Sequence, residues 1–100
     1  MYNYRITAED AAVVAEFRRK PVGHHSQALQ RVLNVLRSNP AYGRYVVLCT
    51  RPGREWRIAE LQGRGVAPKL ERRRYARVAD AEWEVFKRRW QRATGTALTD

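Results

Sequence analysis

Apolar positions recur with a helical period in the segment that follows the first histidines. Four leucines and valines at i, i+3, i+4 and i+7 share one face of a helix: Leu29, Val32, Leu33 and Leu36. Ser26 is a favourable N-cap for this helix, because its hydroxyl can accept from a free backbone N–H of the first turn. Asn39-Pro40 ends it, since proline disfavours helical backbone in the residue before it. The pattern therefore predicts a helix from Ser26 to about Ser38.

A shorter helix is predicted upstream. Thr7 is its predicted N-cap, and Glu9 and Asp10 place negative charge in the first turn, where the helix dipole favours it. Phe17 belongs to a narrow apolar face, and Pro21 followed by Gly23 ends the helix. Because this helix is rich in alanine, its pattern does not define how it docks.

A third helix is predicted over residues 81–93, with Asp80 as its N-cap and Gly95 at its end. Trp83, Phe86 and Trp90 form its apolar stripe. Such a stripe at helical spacing favours a place in the core, and a partner interface is the alternative.

The middle of the chain is typical of a β-hairpin. Residues 45–50 are rich in β-branched and aromatic side chains, the Pro-Gly pair in residues 51–54 indicates a turn, and residues 55–61 return. A loop follows, and residues 74–78 are a candidate short third strand. Together with the helices, this order predicts one small α+β domain: an antiparallel hairpin, extendable to three strands, packed with two to three helices.

The first strand is apolar on both faces, since Tyr45, Val47 and Cys49 alternate with Val46 and Leu48. A strand with one solvated face should instead alternate apolar and polar residues. Either helices cover both faces, or one face meets a partner. Cys49 is expected to be a buried small apolar residue.

The chain has 100 residues, which suits a single domain. We expect residues 1–25 to form an N-terminal helix and loop, residues 26–93 the main body, and residues 94–100 a flexible tail. No apolar run approaches the ~20 residues of a membrane span, and no signal-peptide pattern opens the chain. A cytoplasmic protein without membrane contact is the resulting expectation.

Charge narrows the range of partners. Twenty Lys and Arg face ten Asp and Glu, giving a formal net charge of +10. Two basic clusters stand out, residues 72–74 with Arg77 and residues 87–89 with Arg92. Each cluster fits a solvated face, contact with an acidic protein, or contact with phosphate. No recognisable nucleic-acid module accompanies them, so nucleic acid is the less favoured partner.

Few residues are candidates for catalysis or for binding a metal or cofactor. The single cysteine, Cys49, cannot form an internal disulfide, and no Cys/His spacing indicates zinc. His24-His25 has no nearby carboxylate in sequence and favours a surface loop, with a functional role as the alternative. A nucleophilic Cys49 would need a base, for which His24 is the only candidate. No catalytic, cofactor-binding or metal-binding residue is therefore predicted.

An ordered series of positions, with constant spacing from about residue 29 to residue 90, resembles the small subunit of N,N-dimethylformamidase. Its matching positions are Leu29-Gln30-Arg31-Val32, Asn34, Arg37, Pro40, Gly43, Tyr45, Arg57-Ile58-Ala59, Gly65, Pro68, Leu70, Val85-Phe86 and Arg88-Arg89. The chain departs from this pattern in a shorter N-terminal helical segment and in its strongly basic residues 72–77.

The resemblance implies a subunit of an amidohydrolase complex that cleaves N-substituted formamides to formate and an amine. It implies a large catalytic subunit that holds a mononuclear iron through tyrosines and a carboxylate, and a small subunit that supplies no iron ligand. The small subunit would stabilise and assemble the large one. The residues expected to contact the large subunit are Arg31, Arg37, Arg57, Arg88, Arg89 and Trp90.

Overall fold

A computed structural model describes residues 11–98 of the chain. Three α-helices and three strands follow one another in the order α1 (Ala11–Arg19), α2 (Gln27–Ser38), β1 (Tyr45–Arg51), β2 (Glu55–Glu60), β3 (Lys69–Tyr75) and α3 (Val78–Thr94). A 3₁₀ turn, Pro40–Tyr42, links α2 to the sheet. The predicted α+β class is confirmed, and the hairpin does extend to three strands.

The three strands form one antiparallel sheet in the order β1-β2-β3. Val47 pairs with Ile58, and Leu48 pairs with Arg57, which pairs in turn with Arg74. A bulge in the register of β2 and β3 falls between Arg57 and Ala59. Because successive side chains alternate between the two faces of a strand, this register assigns every strand residue to one face.

Helix α3 is the central layer of the molecule. Its Trp83, Phe86 and Trp90 pack with α1 and α2, whereas Ala81 and Val85 pack on the sheet. These two sets lie on different sides of the helix, so one element completes two hydrophobic clusters. The predicted core position of the aromatic stripe is confirmed.

The outer helices pack against α3 through large side chains. Phe17 of α1 stacks on Phe86 with ring centroids 4.3 Å apart, and it is 1% exposed. In α2 the four predicted apolar residues are all buried. The docking of α1, which its sequence leaves open, therefore rests on Val13 and Phe17. The predicted N-cap Thr7 lies outside the described residues.

Helix α2 begins as predicted. The Ser26 hydroxyl accepts from the backbone N–H of Leu29 at 3.2 Å. Glu16 of α1 in turn accepts from the Ser26 backbone N–H at 2.8 Å and from its hydroxyl, and these hydrogen bonds lower the pKa of the Glu16 carboxyl. The cap thus ties the first two helices together.

Three local predictions were wrong. Helix α3 begins at Val78 with Arg77 at the N-cap, so Asp80 lies inside the first turn. The third strand is Lys69–Tyr75 and not residues 74–78. Cys49 is exposed, since it lies near the end of the edge strand β1, and its thiol donates to the Arg51 carbonyl.

The end of α3 and the turn before β1 agree with the pattern. Gly95 closes α3 in a left-handed conformation, and its N–H donates to the Gln91 carbonyl at 2.7 Å. Gly43 has a φ of +107°, and the ring of Tyr45 occupies the place where a Cβ would lie. Leu98 falls in the predicted tail, yet it is half-buried against the helical cluster.

Candidate functional site

One face of the sheet has no helix packed on it within residues 11–98. Val47 and Ile58 face α3, so their neighbours along the strands point away from the helices. We call this second side the open sheet face. Its members, taken from the strand register, are Val46, Leu48, Arg57, Ala59, Leu70 and Arg74.

The open sheet face is apolar at its centre. Val46, Ala59 and Leu70 form one row across the three strands, in which Val46 is half-buried and Ala59 is fully buried between its neighbours. Leu48 and Leu70 remain 40% and 39% exposed, although they lie in regular strands. The sequence signal for this face was the first strand, which is apolar on both sides. Helices cover one side of that strand, and the other side is left for solvent or a partner.

Arginines border this apolar centre. The Arg57 Nε donates to the Glu71 carbonyl at 2.9 Å, which holds the guanidinium across the sheet. Arg74 is 65% exposed and lies 3.6 Å from Glu55. Because Glu55 also receives a hydrogen bond from the Thr50 hydroxyl and faces Arg74 and Arg51, its pKa is lowered. An apolar centre with cationic neighbours is complementary to an apolar patch with acidic neighbours.

The two arginines of α3 that are predicted to contact a partner form hydrogen bonds within this chain. Arg88 donates to both carboxylate oxygens of Glu71 on β3, at 2.6 and 2.9 Å, and to Glu84 at 2.9 Å. These bonds, chiefly those to Glu71, raise the pKa of its guanidinium. Arg89 donates to the Tyr45 carbonyl on β1 at 3.1 Å. The two adjacent arginines thus reach the two edge strands of the sheet and hold α3 across it.

The other predicted contacts are separated. Trp90 is only 6% exposed and packs in the helical cluster, so its side chain serves the core of this chain, and its contact with the large subunit stays a prediction. Arg31 and Arg37 are exposed on α2, and Arg57 lies on the open sheet face. The structure therefore does not gather these six residues into one patch, and contact by the arginines stays a prediction.

The remaining candidates for chemistry do not converge. His25 donates from Nε2 to the Lys20 carbonyl at 3.1 Å, and His24 is exposed beside it. Across residues 11–98, no three side chains of His, Cys, Asp or Glu lie together as a metal site would require. A membrane crossing would need a longer and more apolar helix than any between residues 11 and 98.

These features define a class: a small, arginine-rich α+β domain whose partly buried arginines bind other groups of the chain and whose sheet has one open face. Residues 3–99 match the family model described as "N,N-dimethylformamidase alpha subunit". The chain belongs to this family, which confirms the resemblance and extends it beyond residues 29–90.

Two curated relatives agree with this assignment. The chain is 35% identical over 80 residues to the N,N-dimethylformamidase alpha subunit of Paracoccus aminophilus, an alignment that covers 77% of this chain and 57% of the relative. It is 34% identical over 87 residues to the alpha subunit of the same name from Alcaligenes sp., covering 84% of this chain and 66% of the relative. The chain thus spans less than two thirds of either relative.

Proposed function

We propose that this chain is the non-catalytic small subunit of a dimethylformamidase-like amide hydrolase and that its open sheet face docks on the large subunit. In this proposal the large subunit holds a mononuclear iron, and the complex hydrolyses N-substituted formamides to formate and an amine. The proposal assigns the iron to the large subunit because the family resemblance implies that the small subunit supplies no iron ligand. The small subunit stabilises and assembles the large one.

The observation that carries the proposal is the exposed pair Leu48 and Leu70, which lie on the two edge strands of the open sheet face. Full burial of a leucine side chain stabilises by roughly 1.5–3 kcal/mol relative to leaving it exposed. A sheet that has helices on one side can gain this energy on its other side only by binding a partner. The neighbouring Arg57 and Arg74 and the net charge of +10 favour a partner whose contacting surface is acidic.

The test is co-expression and co-purification with a candidate large subunit of the enzyme. Leu48→Asp combined with Leu70→Asp should lower the recovered complex at least about tenfold, since each substitution opposes burial by more than 1.4 kcal/mol. Both positions are partly exposed, so the double variant should keep its fold, which far-UV circular dichroism checks.

A matched control places two aspartates on exposed apolar residues outside the sheet. Val22→Asp combined with Val66→Asp makes the same charge change at side chains that are 52% and 57% exposed. This control should give the same yield of complex as the unaltered chain. Equal loss of complex in both double variants, or full recovery with the leucine pair replaced, would contradict docking through the open sheet face.

Nucleic-acid binding is the second candidate, and the net charge of +10 motivates it. Several arginines of the basic clusters are engaged within the chain: Arg88 with two carboxylates and Arg73 over the Tyr75 ring at 4.8 Å. This engagement favours subunit docking. Phosphate contacts weaken steeply with salt, so a gel-shift titration at about 50 mM salt decides the matter. Absence of any shifted DNA or RNA band there removes this candidate.

A further inference from the structure

The sheet ends on two edge strands that differ in charge. Strand β1 forms one edge and β3 the other. Five of the seven residues of β3 are charged, whereas β1 carries a single charged residue, Arg51, at its end. Charged side chains on an edge strand hinder its pairing with a strand of another chain. The β3 edge is protected in this way, and the β1 edge is not.

Strand β1 directs the backbone groups of every second residue away from β2. The Leu61 N–H donates to the Arg44 carbonyl at 2.8 Å, so these two residues form a hydrogen-bonded pair. Hydrogen-bonded and non-hydrogen-bonded pairs alternate along an antiparallel ladder. The register of β1 and β2 therefore points the N–H and C=O groups of Tyr45, Val47 and Cys49 outward from the sheet.

Only the first of these three residues uses an outward group within residues 11–98. The Arg89 guanidinium donates to the Tyr45 carbonyl at 3.1 Å, which agrees with the outward direction of that carbonyl. The outward groups of Val47 and Cys49 have no hydrogen-bond partner in this part of the chain. Each of the two residues carries one donor and one acceptor, so the β1 edge offers two N–H and two C=O groups.

Side chains are exposed on both sides of the sheet at the same place. Leu48 lies on the open sheet face and is 40% exposed. Cys49 lies on the other side, together with Val47, and it is exposed as well. Docking on the open sheet face alone covers Leu48 and leaves Cys49 in water. A strand added along the edge has side chains on both sides and can cover both residues.

The charge around the β1 edge indicates the kind of strand that fits it. Arg44 precedes β1, Arg54 lies in the turn after it, and both are exposed. Residues 21–54 contain no acidic residue. A second copy of this chain, paired antiparallel through the same edge, would bring Arg44 of one copy toward the turn with Arg54 of the other, and like charges opposite each other are unfavourable. A strand of a different protein, with acidic side chains, is therefore favoured.

We propose that β1 pairs with an extended segment of the large subunit, which adds a fourth strand to the sheet. The backbone of this segment forms hydrogen bonds with Val47 and Cys49, its central side chains are apolar, and acidic side chains near its ends face Arg44 and Arg54. This inference rests on the proposed function. It specifies that the large subunit binds along the β1 edge as well as on the open sheet face.

Residue-resolved hydrogen exchange tests for the added strand. The isolated chain at submicromolar concentration is compared with its complex with the large subunit, by mass spectrometry with electron-transfer fragmentation. The amides of Val47 and Cys49 should exchange at least about tenfold more slowly in the complex, because their new hydrogen bonds must open before exchange. The amides of Leu70 and Arg74, which the register points outward from β3, should change much less.

The thiol of Cys49 gives a second measurement, because it is the only thiol of the chain. Modification by N-ethylmaleimide is followed through the mass of the intact small subunit, so cysteines of the large subunit do not interfere. The thiol lies on the side of the sheet opposite the open sheet face. It should react more slowly in the complex if a strand covers the β1 edge, and at an unchanged rate if only the open sheet face is covered.

Cys49→Pro and Cys49→Ala form a matched pair of variants. Proline removes the outward N–H but no hydrogen bond to β2, and edge strands tolerate proline where the N–H faces solvent. The complex should weaken about tenfold through loss of one hydrogen bond and the bulk of the proline ring at the edge. Alanine keeps the N–H and should leave the affinity unchanged. Far-UV circular dichroism checks the fold, and if the proline variant does not fold, the exchange measurement on the unaltered chain decides.

Slower exchange at Val47 and Cys49, confined to the β1 edge, supports the added strand. A complex in which these two amides exchange as in the isolated chain overturns it and leaves docking on the open sheet face intact. Equal slowing at Leu70 and Arg74 also overturns it, because the protection would then not be specific to β1. Slow exchange already in the isolated chain overturns it too, since the edge would be occupied within the chain. Absence of any complex contradicts the proposed function, and the added strand with it.

Discussion

The surroundings of Glu82 disfavour the ionised form of its carboxyl group. It lies on α3 at a small cavity lined also by Leu33, Leu36 and Phe86. Burial raises the pKa of the Glu82 carboxyl, and the nearby Arg37 and Arg89 guanidinium groups lower it by less. Burial also lowers the pKa of Arg89, with Arg37 contributing to the same direction. Ionised Glu82 is therefore less favourable in the folded chain than in the unfolded one.

Glu82→Gln should increase the free energy of unfolding at pH 7, because it removes this partly buried negative charge. A raised folded-state pKa means that the native chain loses stability as the pH rises from the unfolded-state value, about 4.3, through the folded-state value. The difference between variant and native chain should therefore vanish below about pH 4. Urea denaturation at pH 4 and pH 7 measures it.

Glu60→Gln, a half-exposed residue on β2, is the matched charge change for this comparison. A Glu82→Gln variant that is less stable than the native chain at pH 7 would mean that the attraction of Arg37 and Arg89 outweighs the cost of burial.

The sequence predicted which helix residues are buried better than it predicted the burial of strand residues or the ends of the elements. The 3.6-residue period of α2 predicts its four buried residues, because that period depends only on the helix itself. Whether Cys49 is buried depends on which elements pack over its end of β1, and no local pattern contains that information. The start of α3 was missed because Arg77 caps it through its backbone alone, without a side-chain hydrogen bond.

At the scale of elements, adjacent arginines attach α3 to both edges of the sheet. Arg88 binds Glu71 on β3, and Arg89 binds the backbone of Tyr45 on β1. Both side chains of the Arg88–Glu71 pair are partly buried, 28% and 30% exposed, so this pair is screened less than a surface ion pair.

Arg88→Met should lower the free energy of unfolding by about 1–3 kcal/mol, between the values for exposed and for fully buried pairs broken on one side. The aliphatic stem is kept in this variant, so the loss reflects the guanidinium. Arg72→Met, exposed on β3, should change stability by less than about 0.5 kcal/mol. Chemical denaturation measures the free energy of unfolding of both variants. Equal losses would mean that the Arg88–Glu71 ion pair does not stabilise the fold.

The third strand illustrates why element boundaries were only partly predictable. Lys69–Tyr75 is almost entirely charged and has no apolar alternation, so its sequence is typical of a loop. It becomes a strand because β2 offers backbone partners and because an edge strand with one open face tolerates charged side chains. This segment is therefore a strand because its backbone pairs with β2, and its amino-acid composition does not predict it.

At the scale of the whole molecule, the open sheet face has a consequence for the isolated chain. Without its partner, this face leaves leucines in water, and contiguous exposed apolar surface favours association. We expect the isolated chain to self-associate at micromolar concentrations, as analytical ultracentrifugation can measure. Leu48→Asp combined with Leu70→Asp should shift it toward the monomer, whereas Val22→Asp combined with Val66→Asp should not. A native chain that stays monomeric would contradict this expectation.

The open sheet face was visible in the sequence. Its signal was the first strand, which is apolar on both sides and therefore needs helices or a partner on each side. Which side the helices cover was not visible, because that depends on how α3 packs on the sheet.

The place of α3 between two hydrophobic clusters bears on how the chain is made. Both clusters need residues of this helix, and the ribosome synthesises it after every other described element. Neither the helical pair nor the sheet can close its interior before residues 78–94 leave the ribosome, so the nascent polypeptide keeps its leucines and aromatic rings accessible until then. This domain therefore folds only once its last described helix is available, and a chaperone or assembling partner can bind it while it is still open.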